Sequence, residues 1–250
     1  MMNLSLIIPC FNESDNIAEM REQISGIRPE LELRGPFELV LVDDGSSDDT
    51  FTQLSVAFAD WDNVTIIQHE RNRGLGAALR TGFAHARGEI VVTTDSDGTY
   101  PFATIPALLD LLRPGIDIVT ASPYHPAGGV DGVPAYRLLF SKGASFMYRV
   151  LLDPRLHTYT AMYRAYRREV IERCPTTSDG FLMVTELLVG ALLEGYRVAE
   201  YPATLRVRRY GQSKARVWQI TRSHLRFQAH VLRRRLATLG RQPRRARGAS

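Results

Sequence analysis

The chain has 250 residues, 44% hydrophobic and 23% charged, which is long enough to bury one sizeable core and ordinary for a globular protein. It contains no apolar run of about 18 or more residues, which excludes a spanning helix, and Met1 to Cys10 lacks the basic start and long apolar stretch of a signal peptide. Cys10 and Cys174 are too few for a disulfide framework and have no zinc-ligand spacing around them, so a reducing, cytoplasmic setting is expected.

The net charge of +4 hides an asymmetry: residues 1–200 hold 17 basic residues against all 27 acids, while residues 201–250 hold 14 basic residues and no acid. An acidic body with a basic C-terminal fifth predicts that the tail meets something anionic.

In chain order, Leu4 to Ile8 reads as a strand, with Asn12 or Ser14 placed to cap a following helix. Phe37 to Val42 is a second strand ending in the turn Asp43-Asp44-Gly45-Ser46-Ser47, where Asp44 or Ser46 can cap the next helix. Val64 to Ile67, Glu89 to Thr94 and Ile116 to Ala121 are further strands, and Leu75 to Arg87 is a helix. Such alternation, with near-continuous apolar strands, predicts a mainly parallel α/β sheet with helices on both faces and ligands at the carboxyl ends of its strands. Pro123 to Pro134 reads as a loop and a candidate lid, followed by helices over Arg137–Leu152 and Met183–Leu193 and a strand over Arg197–Tyr201. Trp218, Leu225, Ala229, Leu232, Leu236 and Leu239 recur at steps of three, four or seven among arginines, predicting a basic amphipathic helix over residues 216–240; residues 241–250 read as a disordered tail.

The chemistry concentrates in the acidic turns. Asp95-Ser96-Asp97-Gly98 directly follows an apolar strand, and two carboxylates one residue apart can aim oxygens at one hard cation, Mg²⁺ or Mn²⁺. Such an ion would neutralise a departing diphosphate. Plain turn chemistry explains the same four residues, but a second acidic turn, Val42-Asp43-Asp44-Gly45-Ser46, is harder to ascribe to capping alone. Gly74-Leu75-Gly76 lacks the preceding strand and third glycine of a dinucleotide fingerprint, and the six histidines show no ligand spacing.

These segments together resemble the family 2 glycosyltransferases of the GT-A fold, near the dolichol- and polyprenyl-phosphate mannosyltransferases. Pro9-Cys10-Phe11-Asn12-Glu13 is similar to the family's opening Pro-x-Tyr-Asn-Glu, and Val42 to Asp48 to its nucleoside-binding turn. Arg71 to Ala78 is similar to the next family loop, Asp95-Ser96-Asp97 to its metal-binding Asp-x-Asp, and Arg208-Arg209-Tyr210-Gly211-Gln212-Ser213-Lys214 to its late Arg-x-x-Gly-x-Ser-Lys. The resemblance covers residues 3–215, and residues 1–215 are the expected catalytic domain. It implies that Pro9, Phe11, Glu13, Val42, Asp43, Asp44 and Gly74 bind the nucleotide-sugar with Asp95, Ser96 and Asp97. Asp95 and Asp97 would hold the metal, and Arg208, Ser213 and Lys214 would neutralise phosphate. Asp97, Arg137 and Glu186 are the implied catalytic residues. The sequence departs from the family on the acceptor side: Ala121-Ser122-Pro123-Tyr124 lacks an arginine, Thr158 to Arg164 keeps only Thr160 and Arg164 of a longer pattern, and Thr99 replaces a glutamine.

The expected activity is inverting, metal-dependent transfer of a hexose from GDP-mannose or a UDP-sugar to a polyprenyl or dolichyl phosphate, on the inner face of the cell membrane. The alternative is transfer to a hydroxyl, which needs a base such as Glu186 or Asp179; a helix-end role for Glu186 is equally open. A sugar-1-phosphate nucleotidyltransferase would carry a Gly-rich N-terminal loop where Pro9-Cys10-Phe11-Asn12 stands. A non-catalytic binding module would hold nucleotide-sugar without consuming it. The basic helix can lie on an anionic bilayer or pack on the body or a second subunit, and nucleic acid is the least favoured partner.

Overall fold

The computed structural model describes residues 3–208 and 217–239. β1 (Leu4–Cys10) and β2 (Phe37–Asp43) are buried on both faces, with Leu6, Ile7, Ile8, Leu39, Val40 and Leu41 fully covered. Between and after them lie α1 (Ile17–Arg34), α2 (Thr50–Ala57), β3 (Val64–Gln68), α3 (Leu75–His85), β4 (Ile90–Thr93), α4 (Ile105–Asp110) and β5 (Ile118–Ser122). The chain continues through β6 (Gly129–Asp131), α5 (Ala135–Leu151), β7 (Arg164–Arg167), α6 (Arg168–Arg173) and α7 (Leu182–Leu193) to β8 (Val198–Pro202), β9 (Thr204–Arg206) and α8 (Val217–Leu239).

Seven strands form one sheet in the order β3-β2-β1-β4-β7-β5-β8. Every pairing is parallel except those of β7, which runs antiparallel to both β4 and β5. The strand order reverses at β1, with β2 on one side and β4 on the other, so a crevice opens at their carboxyl ends where the two acidic turns emerge.

The expected α/β architecture is present, with differences at particular elements. Asn12 caps no helix: it takes a left-handed φ of 51°, and its Oδ1 accepts from Ser47 N at 2.7 Å. Neither Asp44 nor Ser46 caps α2; Asp48 accepts from Thr50 N at 3.0 Å at that helix start. The segment read as a loop over Pro123–Pro134 contains β6, which pairs in parallel with β9, Val130 opposite Leu205.

The C-terminal helix turns inward a face other than the one that carries Trp218, Leu225 and Leu232. Against α5, α8 buries His224, Gln228 and Val231, while Trp218, Leu225 and Leu232 are 76%, 59% and 44% exposed. The seam is partly polar: Tyr148 Oη lies 3.1 Å from His224 Nδ1, and Gln228 Nε2 donates to Ala144 O at 3.3 Å. Burial holds His224 down to about 4, below its ordinary 6.5. The folded state therefore favours the neutral ring, and this contribution, about 3 kcal/mol at most, is present above pH 6.5 and is lost as pH falls toward 4. Amide exchange in α8, corrected for its intrinsic pH dependence, is expected to accelerate between neutral and mildly acid pH, ahead of the β1–β2 core; uniform protection would contradict this.

Candidate active site

The crevice at the β1–β4 switch widens into a cavity of about 430 Å³. Pro9, Phe11 and Glu13 enter it from the end of β1, Asp44 from the end of β2, Gly74 from the start of α3, and Asp95, Ser96 and Asp97 from the turn after β4. Arg208, just beyond β9, enters the same cavity beside the acids. The structure thus brings together residues spread over 200 positions of sequence.

The two acidic turns do different work. Asp44 is almost wholly buried and accepts four hydrogen bonds: from His69 Nδ1 at 2.7 Å, Asn72 Nδ2 at 2.9 Å, Arg73 N at 2.9 Å and Gly74 N at 2.8 Å. It clamps the 71–74 loop to the end of β2. Two glycines make the close approach possible. At Gly45 (φ 68°) an added Cβ would fall 2.2 Å from the Arg71 carbonyl carbon, and at Gly74 (φ 95°) one would fall 2.5 Å from Asp179 O. Asp43 is fully buried and does not line the cavity; its Oδ1 accepts from Ser46 N at 3.2 Å and from the Ser46 hydroxyl, and its Oδ2 from Gln68 Nε2 at 3.1 Å. Ser46 Oγ in turn accepts from Asn12 N at 2.8 Å, so Asp43 braces the opening motif from behind. Val42 lies in the core, away from the cavity. Val42 and Asp43, expected at the nucleoside, thus stand behind the cavity wall and do not line it.

The turn after β4 faces the cavity directly. Asp97 Oδ1 accepts from Thr99 N at 3.0 Å and from the Thr99 hydroxyl, an Asx turn that fixes the carboxylate. Asp97 Oδ2 lies 2.6 Å from Arg208 Nη2, and the same nitrogen lies 3.5 Å from Glu13 Oε1. Glu13 is itself oriented by Asn16 Nδ2, at 2.6 Å from its Oε2. Burial, then the charge of Asp97, pushes the Asp95 carboxyl up to about 8, with Glu13 adding to the rise and Arg208 opposing it. Glu13, Asp95 and Asp97 thus gather three carboxyl groups around the Arg208 guanidinium.

That cluster suits a hard divalent cation. The donors are carboxylate oxygens on a fixed turn, the chemistry Mg²⁺ and Mn²⁺ prefer. Among the described residues no group of three or more His, Cys, Asp or Glu side chains is arranged to hold a metal alone. An ion bound by Asp95 and Asp97 would complete its shell from water and phosphate oxygens, the usual arrangement for Mg²⁺.

Glu186 lies outside this cavity. Its Oε2 accepts from Ser178 N at 2.9 Å and Thr177 N at 3.2 Å, and its Oε1 from Ser178 Oγ at 2.8 Å. It ties α7 to the 177–178 loop, whose next carbonyl, Asp179 O, accepts from Gly76 N at 2.6 Å. Glu186 is thus a brace, with both oxygens engaged by the 177–178 loop outside the cavity. Asp179 pairs with Arg80 away from the cavity. Glu186→Gln keeps one carbonyl oxygen for these donors, so its rate is expected within about tenfold of wild type, with an unchanged pH profile in steady-state assays; a lost basic limb would restore it as a base.

Arg137 sits in the first turn of α5, beside the cavity-lining Pro134 and Leu138, but its side chain lies outside the described structure, as do residues Ser213 and Lys214. Sequence reading missed Phe181, Met162 and Arg206, which also line the cavity. Phe181 and Met162 come from segments without a charge pattern, and Arg206 stands two residues before Arg208 in β9, which pairs with β6 outside the main sheet.

The Glycosyl transferase family 2 profile matches residues 5–174. The chain belongs to that family. As a glycosyltransferase it is 35% identical over 216 residues to the polyprenol monophosphomannose synthase of Mycolicibacterium smegmatis, covering 84% of this chain and 79% of that protein. It is 32% identical over 216 residues to the dolichol-phosphate mannosyltransferase of Pyrococcus furiosus, covering 85% of this chain but only 59% of the longer relative. Among solved structures, glucosyl-3-phosphoglycerate synthase from Mycobacterium tuberculosis, in complex with Mn²⁺, UDP-glucose and phosphoglyceric acid, superposes with a TM-score of 0.72 at 20% identity, covering 92% of this chain and 80% of that one. At that identity the likeness concerns the fold, and it bears out the GT-A expectation.

Proposed function

We propose that the enzyme transfers a hexose from a nucleotide-diphosphate sugar, GDP-mannose or a UDP-sugar, to a polyprenyl or dolichyl phosphate with inversion, using Mg²⁺ or Mn²⁺. The observation that carries this reading is the cluster of Glu13, Asp95 and Asp97 around Arg208 in one cavity at the sheet's switch point. A cation on Asp95 and Asp97 would offset the charge of the leaving nucleotide diphosphate. Pro9, Phe11 and Gly74 form the wall beside it, where a nucleoside would rest. Arg208, set between Asp97 and Glu13, places a guanidinium beside the expected diphosphate position, where it would offset phosphate charge.

The acceptor is argued from proton bookkeeping. A phosphate arrives as an anion and needs positioning cations, whereas a hydroxyl needs a base within hydrogen-bond reach. Glu186, the candidate base, is engaged elsewhere, which favours the phosphate. The names of the mycobacterial and archaeal relatives point the same way. Such an acceptor implies a peripheral position on the cytoplasmic face of a membrane; among the described residues no helix is long and apolar enough to cross one.

A panel of GDP- and UDP-sugars, assayed for nucleotide release with and without polyprenyl phosphate and divalent cation, tests the reading. Release is expected with one donor class only when both lipid phosphate and cation are present. Release indifferent to the lipid would remove the acceptor.

A further inference from the structure

β6 and β9 form a two-stranded ribbon outside the main sheet, with Val130 opposite Leu205 and Asp131 opposite Arg206. The ribbon is fastened to the turn after β4 through Arg206 itself, whose N–H donates to Thr99 O at 3.0 Å. Thr99 is also the residue whose own N–H and hydroxyl hold Asp97 Oδ1. One residue on, Val207 N donates to Asp131 O at 3.0 Å and closes the ribbon. The backbone of Arg206 is therefore tied to the Asp95–Asp97 turn, although the residue is exposed.

Arg206 and Arg208 both line the nucleotide cavity, but in different electrostatic company. Arg208 Nη2 lies 2.6 Å from Asp97 Oδ2 and 3.5 Å from Glu13 Oε1. The Arg206 guanidinium forms no ion pair among the described residues, not even with Asp131, its register partner across the ribbon. The two arginines also differ in what surrounds their strand. β6 leads through the cavity-lining Val133 and Pro134 into α5, whereas the expected nucleoside wall of Pro9, Phe11 and Gly74 comes from the end of β1 and the start of α3.

We infer that Arg206 is the side chain that receives the phosphate of the acceptor, leaving Arg208 to the nucleotide diphosphate. The inference rests on the acceptor reading proposed above and gives it a residue. A guanidinium already shared by two carboxylates must exchange partners to take up a further anion. An unpaired one meets a phosphate with its whole fork and gives up only water. A fixed backbone places that fork at a set distance from the turn expected to hold the metal, and exposure leaves it open to an incoming substrate. A hydroxyl acceptor would gain nothing from this contact, so Arg206 also selects the class of acceptor.

Two single variants separate this role from a general loss of positive charge. Arg206→Gln is expected to raise KM for a water-soluble, short-chain prenyl phosphate by about tenfold to a hundredfold, more than it lowers kcat. Its affinity for GDP and UDP with Mn²⁺, read by calorimetry, should stay near that of the wild type. Arg208→Gln is expected to show the reverse, a loss of nucleotide affinity larger than the rise in acceptor KM. Arg206→Lys keeps the charge without the fork and should fall between glutamine and wild type. An acceptor KM unmoved in Arg206→Gln would leave the residue a solvated surface charge and overturn the assignment. A nucleotide affinity that falls as far as the acceptor KM rises would overturn it too, by moving Arg206 to the donor. Wild-type nucleotide release that ignores prenyl phosphate would instead fail the acceptor reading, and the role of Arg206 with it, whatever the variants do.

Discussion

Replacing Asp97 by asparagine is expected to lower nucleotide-sugar turnover by about two to three orders of magnitude while the melting temperature stays near that of the wild type. The two oxygens of Asp97 have separate tasks. Oδ1 holds the turn through Thr99 N and the Thr99 hydroxyl, and an asparagine carbonyl can keep those bonds. Oδ2 faces Arg208 at 2.6 Å and carries the charge that an amide removes. Asparagine therefore separates chemistry from folding, which alanine does not, because alanine also releases Thr99. Calorimetric titration of GDP and UDP in the presence of Mn²⁺, beside a thermal melt, reads both quantities. Wild-type nucleotide affinity and turnover in Asp97→Asn would remove Asp97 from the site.

The largest effect on stability is expected at Asp44. Its carboxylate is buried and all four of its partners are donors. Asp44→Ala leaves the N–H groups of Arg73 and Gly74 and the His69 Nδ1 without their acceptor, and leaves the Asn72 amide only the Asp44 backbone carbonyl at 3.3 Å, at a cost of about 3–5 kcal/mol. For a chain of this size that corresponds to a fall in melting temperature of roughly 10 °C. Asp44→Asn should recover only part of the loss, since its amide nitrogen would confront donors. Because the 71–74 loop carries Gly74 into the cavity, nucleotide binding should fall with the fold in both variants. An Asp44→Ala melt within about 2 °C of wild type would show that the loop is held by something else.

How far the sequence could be read depends on whether a residue's role is local. β1, β2, β4 and β5 are legible because strands covered on both faces must be nearly continuous apolar runs. β7 is not: Arg164-Ala165-Tyr166-Arg167 has charged ends and no hydrophobic period, and it becomes a central strand because the Arg164 fork is satisfied by Thr120 Oγ1, Tyr159 O and Val184 O. β6 and β9 are three residues each and exist only through one another. The Asp-Ser-Asp turn was legible because spacing alone puts two carboxylates on one turn. The division of labour in Asp43-Asp44 was not, since adjacent acids look alike until their donors, 25 to 30 residues away, are in place. Glu186 shows the same limit, because a carboxylate near a helix start reads equally as base or brace until its oxygens are traced to Thr177 and Ser178. The α8 pattern left its orientation open for another reason: periodicity reports which residues share a face, and it does not say whether that face turns toward the protein.

The measurement closest to the central claim is an anomalous difference map from a crystal of this enzyme grown with Mn²⁺ and the nucleotide diphosphate it prefers. A single manganese peak is expected against the Asp95 and Asp97 carboxylates, in contact with diphosphate oxygens, with Arg208 beside them. Nucleotide bound in the cavity with no manganese at that pair, or with the peak on another set of ligands, would contradict it.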